Sequence, residues 1–183
     1  LSRVVVLYKS KYGSCEKYAR WIAEDTGADI FDISSFDMKR LGNYDVVVFG
    51  GALYAVGIIG LSVIKRNFDM LRDKKVIVFS VGASPAHPEV IEEVKNNNFA
   101  DEMKEKVEYY HFRGAFDYKR LNLVDRFLMY LLRKKLIRKK RKASLTNDEK
   151  GMLASYSTPV NWVNRKSIAP LVESVEEFIK KGQ

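Results

Sequence analysis

Six residues near the N-terminus have the types and spacing to hold an anion: Ser10, Lys11, Tyr12, Gly13, Ser14 and Cys15. They follow the apolar run Val4-Val5-Val6-Leu7 and precede a stretch in which Tyr18, Ala19, Ile22 and Ala23 recur at helical spacing. A strand therefore passes through a short loop into a helix. Such a loop lies over backbone N–H groups that have no partner within the helix, and the helix dipole adds positive potential there. Ser10, Tyr12 and Ser14 bring hydroxyls, and Gly13 lets the main chain approach a ligand closely. The chemistry this supports is the cradling of a phosphate. Neither the GxxxxGK(S/T) loop nor the GxGxxG dinucleotide fingerprint stands here.

Other reactive side chains are sparse. His87, between Ala86 and Pro88, reads as a solvated turn residue rather than a proton donor, and His111 falls inside a strand pattern and reads as structural. Two separated histidines and one cysteine make no metal-ligand pattern. Cys15 at a helix start could ionise more readily, but a bound phosphate would repel a thiolate, so it reads as a small neutral residue. No Ser-His-Asp grouping can be argued.

The elements that must position the loop follow an alternating pattern. Ala28–Ile33 reads as a second strand and Val46–Phe49 as a third, stopping at Gly50-Gly51 before an apolar, glycine-punctuated loop, Ala52–Gly60. Ile64, Phe68 and Leu71 mark a helix face, and Val76–Val81 a fourth strand running into Gly82–Pro88. A polar helix with Val90, Ile91, Val94 and Met103 leads to a fifth strand, Val107–Phe112; the last helix spans Ile168–Lys181. Alternating strands and helices predict an α/β fold, a parallel sheet covered on both faces. Its ligands sit beyond the carboxyl ends of the strands, at the switch between the first and third. The three glycine-bearing loops all fall at that end.

At 183 residues the chain is expected to form one domain over 1–183. Its 46% hydrophobic and 30% charged residues are ordinary for a globular protein. A single cysteine excludes an internal disulfide and fits a reducing compartment. No apolar run approaches a membrane span and no signal-peptide pattern precedes the first strand, so the expected compartment is the cytoplasm.

The loop after the first strand resembles the Ser/Thr-x-Ser/Thr-Gly-x-Ser/Thr loop with which flavodoxins wrap the terminal phosphate of flavin mononucleotide (FMN). Tyr12 and Cys15 stand where that family usually has Thr or Ser. The resemblance implies a flavodoxin-like three-layer sandwich, with a five-stranded parallel sheet in the order 2-1-3-4-5. It also implies FMN as cofactor. Gly51, Ala52, Leu53, Tyr54 and Ala55 match in position the loop over the isoalloxazine ring. Gly82, Ala83, Ser84 and His87 match the loop on the ring's other side. Tyr54 is the candidate for stacking on the ring; the plainer reading packs it on a neighbouring helix. A receiver domain shares the strand order but needs carboxylates at the ends of strands one and three for Mg²⁺. Lys9-Ser10 and Gly50-Gly51 occupy those places.

Charge is localised. Asp117–Lys142 holds 11 Lys/Arg and 2 Asp/Glu, a net of +9, which equals the whole chain's +9; the remainder carries 21 of each sign. This stretch opens a basic helical insertion, 117–160, placed before the last helix and much longer than the connections common in such folds. Leu121, Val124, Phe127, Leu128, Leu131, Leu132 and Leu136 mark an amphipathic helix that continues into the run Arg133–Lys142. It reads as a helix packed on the domain with a solvated end, or as one laid on an anionic lipid leaflet. Nucleic acid ranks last, because no reading motif accompanies the charge.

A narrower resemblance rests on the same region. Gly114–Leu121, the Asp125-Arg126-Phe127 helix and Asn161-Trp162 are similar to elements of the menaquinone-dependent protoporphyrinogen dehydrogenases, which carry a long basic insertion late in a flavodoxin-like fold. That resemblance implies an FMN oxidoreductase at the cytoplasmic membrane surface, passing electrons from a small-molecule redox substrate to a quinone. Arg113, Lys119, Arg120 and Arg126 would then meet porphyrin carboxylates, or simply form surface ion pairs. Two other functions stay open: an electron carrier between protein partners, and a flavin-free interaction domain. Carriers of this kind are usually acidic, which counts against the first of these.

Overall fold

The computed structural model describes residues 3–182. Five parallel strands form the central sheet: β1 (Val4–Lys9), β2 (Asp29–Asp32), β3 (Val46–Tyr54), β5 (Lys75–Gly82) and β6 (Val107–Arg113). Their order is β2-β1-β3-β5-β6, and a two-residue strand, β4 (Gly57–Ile58), folds back antiparallel on β3. With that short strand set aside, this is the predicted order.

Side chains of a strand alternate between faces, and here both faces are apolar because both are covered. Val5, Leu7, Val47, Phe49, Val76 and Val78 enter one core; Val4, Val6, Val46, Val48, Ile77 and Phe79 enter the other. The first core is closed by α2 (Leu61–Arg66), α3 (Pro88–Asn98) and α4 (Asp101–Lys106), through Leu61, Ile64, Val94 and Met103. The second is closed by α1 (Ser14–Thr26) and α7 (Ala169–Lys181), through Tyr18, Ile22, Leu171 and Val175.

The third strand does not stop at Gly50-Gly51; it runs on to Tyr54. A Cβ on Gly50 would lie 2.0 Å from the Phe79 ring, and one on Gly51 2.4 Å from Ile58. These glycines mark close packing inside a strand rather than its end. The loop expected over Ala52–Gly60 is correspondingly a hairpin, with Leu53 opposite Ile58 and Tyr54 opposite Gly57. Its tight turn puts Ala55 at a φ of 54°. The polar helix expected after the fourth strand is two helices, α3 and α4, broken where Phe99 turns into the core. The last helix begins at Ala169, after a 3₁₀ turn over Arg165–Ile168.

Between β6 and α7 the chain forms a two-stranded ribbon, β7 (Ala115–Phe116) with β8 (Val160–Asn161), from which two helices project. These are α5 (Leu123–Lys142) and α6 (Asn147–Ser155). Asn122 caps α5 by accepting the Asp125 N–H at 2.9 Å, and a reciprocal Thr146–Glu149 capping box opens α6. The Tyr156 hydroxyl donates to the Met129 carbonyl at 2.7 Å, and Lys139 pairs with Glu149, so the two helices brace each other. Only Asp125 and Leu136 of α5 are buried. Leu123 and Phe127 are 82% and 60% exposed, and Val124, Leu128 and Leu131 also face outward. The amphipathic helix read from the sequence is present, but most of its apolar residues meet no core.

Candidate cofactor site

The first loop joins β1 to α1. Gly13 sits at its end with φ +91°, and nothing lies within 4 Å of where a Cβ would stand. α1 therefore opens without a side-chain cap, beside clear space. The Ser10 hydroxyl oxygen accepts the Gly13 N–H at 3.1 Å, and that of Ser14 accepts the Ala115 N–H at 3.0 Å. Each hydroxyl keeps its own proton to donate. Cys15 points into the core, where burial pushes its thiol pKa up, so it offers the loop only its backbone N–H.

Lys11 and Tyr12 turn toward a residue that the sequence reading had not placed in the site: Asp125 of α5. The Lys11 ammonium lies 2.7 Å from one carboxylate oxygen and 2.9 Å from the other. The Tyr12 hydroxyl donates to the same carboxylate while accepting the Asn122 N–H at 3.3 Å. Asp125 is 4% exposed. Burial opposes its charge, but the hydrogen bonds from Lys11 and Tyr12 outweigh it and hold the carboxyl below its usual range. Its carboxylate thus joins the first loop to the start of α5.

In that hairpin Gly51, Ala52, Leu53 and Tyr54 belong to β3, and Ala55 forms the turn. Tyr54 is partly exposed, and the Lys11 ammonium lies 4.2 Å from its ring centroid. A buried residue fixes the hairpin from behind. Asn98, at the end of α3, accepts the Ile58 N–H at 2.9 Å and donates to the Val56 and Val94 carbonyls at 2.5 and 2.8 Å. An Asn in a polar helix gave no signal of this in the sequence.

The third loop is held by its carbonyls. Gly82 accepts the Gly114 N–H at 2.7 Å, Ala83 accepts the Arg113 guanidinium at 3.1 and 3.2 Å, and Ser84 is 3.0 Å from His111 Nε2. Since a carbonyl can only accept, His111 donates from Nε2, and its Nδ1 takes the proton of Ser80 Oγ, 2.7 Å away. Ser80 in turn accepts from the Tyr109 hydroxyl at 2.6 Å. Burial keeps the His111 pKa down, so the imidazole is neutral. A trans peptide sets its N–H opposite its C=O. With these carbonyls turned to β6, the Ala83 and Ser84 N–H groups aim away from it. His87 stands apart, its Nε2 2.9 Å from Asp148 at the start of α6.

Three loops at the carboxyl ends of β1, β3 and β5 thus surround the point where the strand order reverses. A family model described as a flavodoxin domain matches residues 5–143. The chain belongs to the flavodoxin-domain family. The match runs through α5, so the basic helix lies within the matched region. An uncharacterized protein of Methanocaldococcus jannaschii is 29% identical over 121 residues, covering 62% of this chain and 80% of that protein. Among solved structures, the Trp repressor binding protein of Bacillus subtilis is 16% identical with a TM-score of 0.48, covering 61% of this chain and 85% of its own. Oxidised flavodoxin 1 from Bacillus cereus is 19% identical with a TM-score of 0.41, covering 61% and 84%.

FMN is the cofactor around which this family is built, and the loops here suit it. A phosphate would find clear space at Gly13, the first-turn amides of α1, the Ser10 and Ser14 hydroxyls and the Lys11 ammonium. An anion, the Asp125 carboxylate, already sits against Lys11 and Tyr12. The hairpin would offer Tyr54 to a ring face, and the third loop the Ala83 and Ser84 N–H groups to a polar ring edge.

Proposed function

We propose that this flavodoxin domain is an FMN-dependent oxidoreductase of the quinone-linked protoporphyrinogen dehydrogenase type, working against the surface of an anionic membrane. The observation that carries the reading is α5: an outward apolar face, Leu123, Val124, Phe127, Leu128 and Leu131, continued by the run Arg133–Lys142, on a helix tied to the first loop through Asp125. Apolar side chains would enter the acyl boundary while Lys and Arg meet lipid phosphates, each worth about 1 kcal/mol. No helix among the described residues is long and apolar enough to cross a bilayer.

Ser10, Ser14 and the α1 amides would hold the phosphate, Tyr54 would cover the ring, and the third loop would bind its edge. Bound FMN supplies the capacity to take a hydride from a carbon donor and pass its electrons to a quinone. The chain's part is to hold the ring, exclude water from its face and bring donor and acceptor together at the lipid boundary. Arg113, stacked 3.9 Å from the Trp162 ring, is part of the scaffold, whereas Lys119 and Arg120 are exposed and would meet substrate carboxylates.

The test is anaerobic oxidation of protoporphyrinogen by the FMN-loaded protein, with a menaquinone analogue as acceptor and anionic vesicles present or absent. Bleaching of the flavin by the porphyrinogen and its recovery on quinone addition are expected. Flavin that binds but is not reduced by the porphyrinogen assigns the chain to electron carriage between proteins instead.

A further inference from the structure

The buried carboxylate of Asp125 engages two residues of the phosphate loop. Lys11 gives it an ion pair, 2.7 Å at the nearer oxygen, and Tyr12 a hydroxyl proton. The backbone of Asn122, three residues earlier, donates to Tyr12 as well. Elsewhere α5 is held by α6, through Tyr156 on Met129 and Lys139 on Glu149, and by the turn before it, where Arg126 donates to the Lys119 and Leu121 carbonyls and Tyr118 donates to the Arg126 carbonyl. Its first turn is therefore fastened to the sheet domain chiefly through the loop that a phosphate would enter.

From this geometry we infer that Asp125 is an internal stand-in for phosphate: it latches the start of α5 across the first loop, and the phosphate of FMN displaces it from Lys11. The inference rests on the FMN reading of this site. A phosphate dianion and a buried carboxylate cannot share one ammonium without strong repulsion, because like charges a few ångströms apart in a poorly screened site interact far more strongly than in water. Lys11 can satisfy only one of them well. Once the carboxylate is displaced, Tyr12 loses its acceptor and Asn122 its anchor, and the first turn of α5 comes off the loop. Loading the cofactor and freeing the apolar end of α5 then become one equilibrium, with reciprocal effects.

Asp125→Asn keeps the shape of the side chain and removes its charge, so the variant should fold. The measurement is FMN titration by flavin fluorescence on wild type and D125N, with riboflavin as the phosphate-free control, alongside deuterium exchange over 122–129. The expected results are FMN binding tightened roughly tenfold in D125N, riboflavin binding unchanged, and faster exchange over 122–129 when FMN, but not riboflavin, is added to wild type. FMN binding that is unchanged or weakened in D125N, or FMN that slows exchange there, overturns the latch while leaving the cofactor reading in place. Failure of both proteins to bind FMN overturns the two together.

Discussion

His111 shows how a single side chain sets the shape of a loop it does not belong to. Its ring is buried, donates to Ser84 and accepts from Ser80, which fixes one tautomer and neutrality. Because burial lowers its pKa in the folded chain, the unfolded chain takes up a proton first as the pH falls. This contribution to stability is complete above the unfolded pKa of about 6.5 and is lost as the pH drops from there toward the lower folded value. Thermal unfolding followed between pH 7.5 and 5 should show that loss, and a His111→Gln variant should show a flatter profile. Ser80→Ala removes the proton donor to Nδ1 inside the core and should cost about 1–3 kcal/mol, measured by urea unfolding. Asp125 acts with the same sign at lower pH. Its depressed pKa gives stability above the ordinary carboxylate range, lost as the pH falls through the folded value.

At the scale of elements, the β3–β4 hairpin depends on groups outside itself. Asn98 satisfies Ile58 N–H and Val56 C=O from the end of α3, so Asn98→Ala leaves both without their partner. A loss of about 2 kcal/mol is expected, with faster amide exchange at Ile58 as the local signature. Gly50→Ala is expected to be worse, since the added methyl overlaps the ring of fully buried Phe79, and overpacking costs about 1–3 kcal/mol or more. Chemical denaturation ranks the two. The strands and their order were legible because continuous apolar runs such as Val46–Phe49 must be covered on both faces. The extension of β3 was not, because a Gly-Gly pair reads as a stop unless the ring of Phe79 is known to lie against it. The first loop was legible from its place after β1, whereas Asp125 lies 113 residues beyond Tyr12 and announces itself by no spacing.

For the molecule as a whole, charge is divided between a balanced sheet domain and one basic arm. Binding to anionic vesicles should therefore weaken steeply with salt, and neutral vesicles should be bound poorly. Reversing Lys134, Lys135, Arg138 and Lys142 to Glu should abolish sedimentation with anionic vesicles while leaving FMN affinity intact. Replacing Phe127 and Leu131 by Ser should weaken vesicle binding without changing its dependence on salt. Cys15 offers a different kind of access to the whole fold. It is the chain's one sulfhydryl, 1% exposed on the inner face of α1, and burial keeps it protonated. An alkylating reagent reaches it when the first turn of α1 lifts from the sheet. The molecule thus carries its own reporter of opening around the first loop, readable by mass spectrometry without any introduced label.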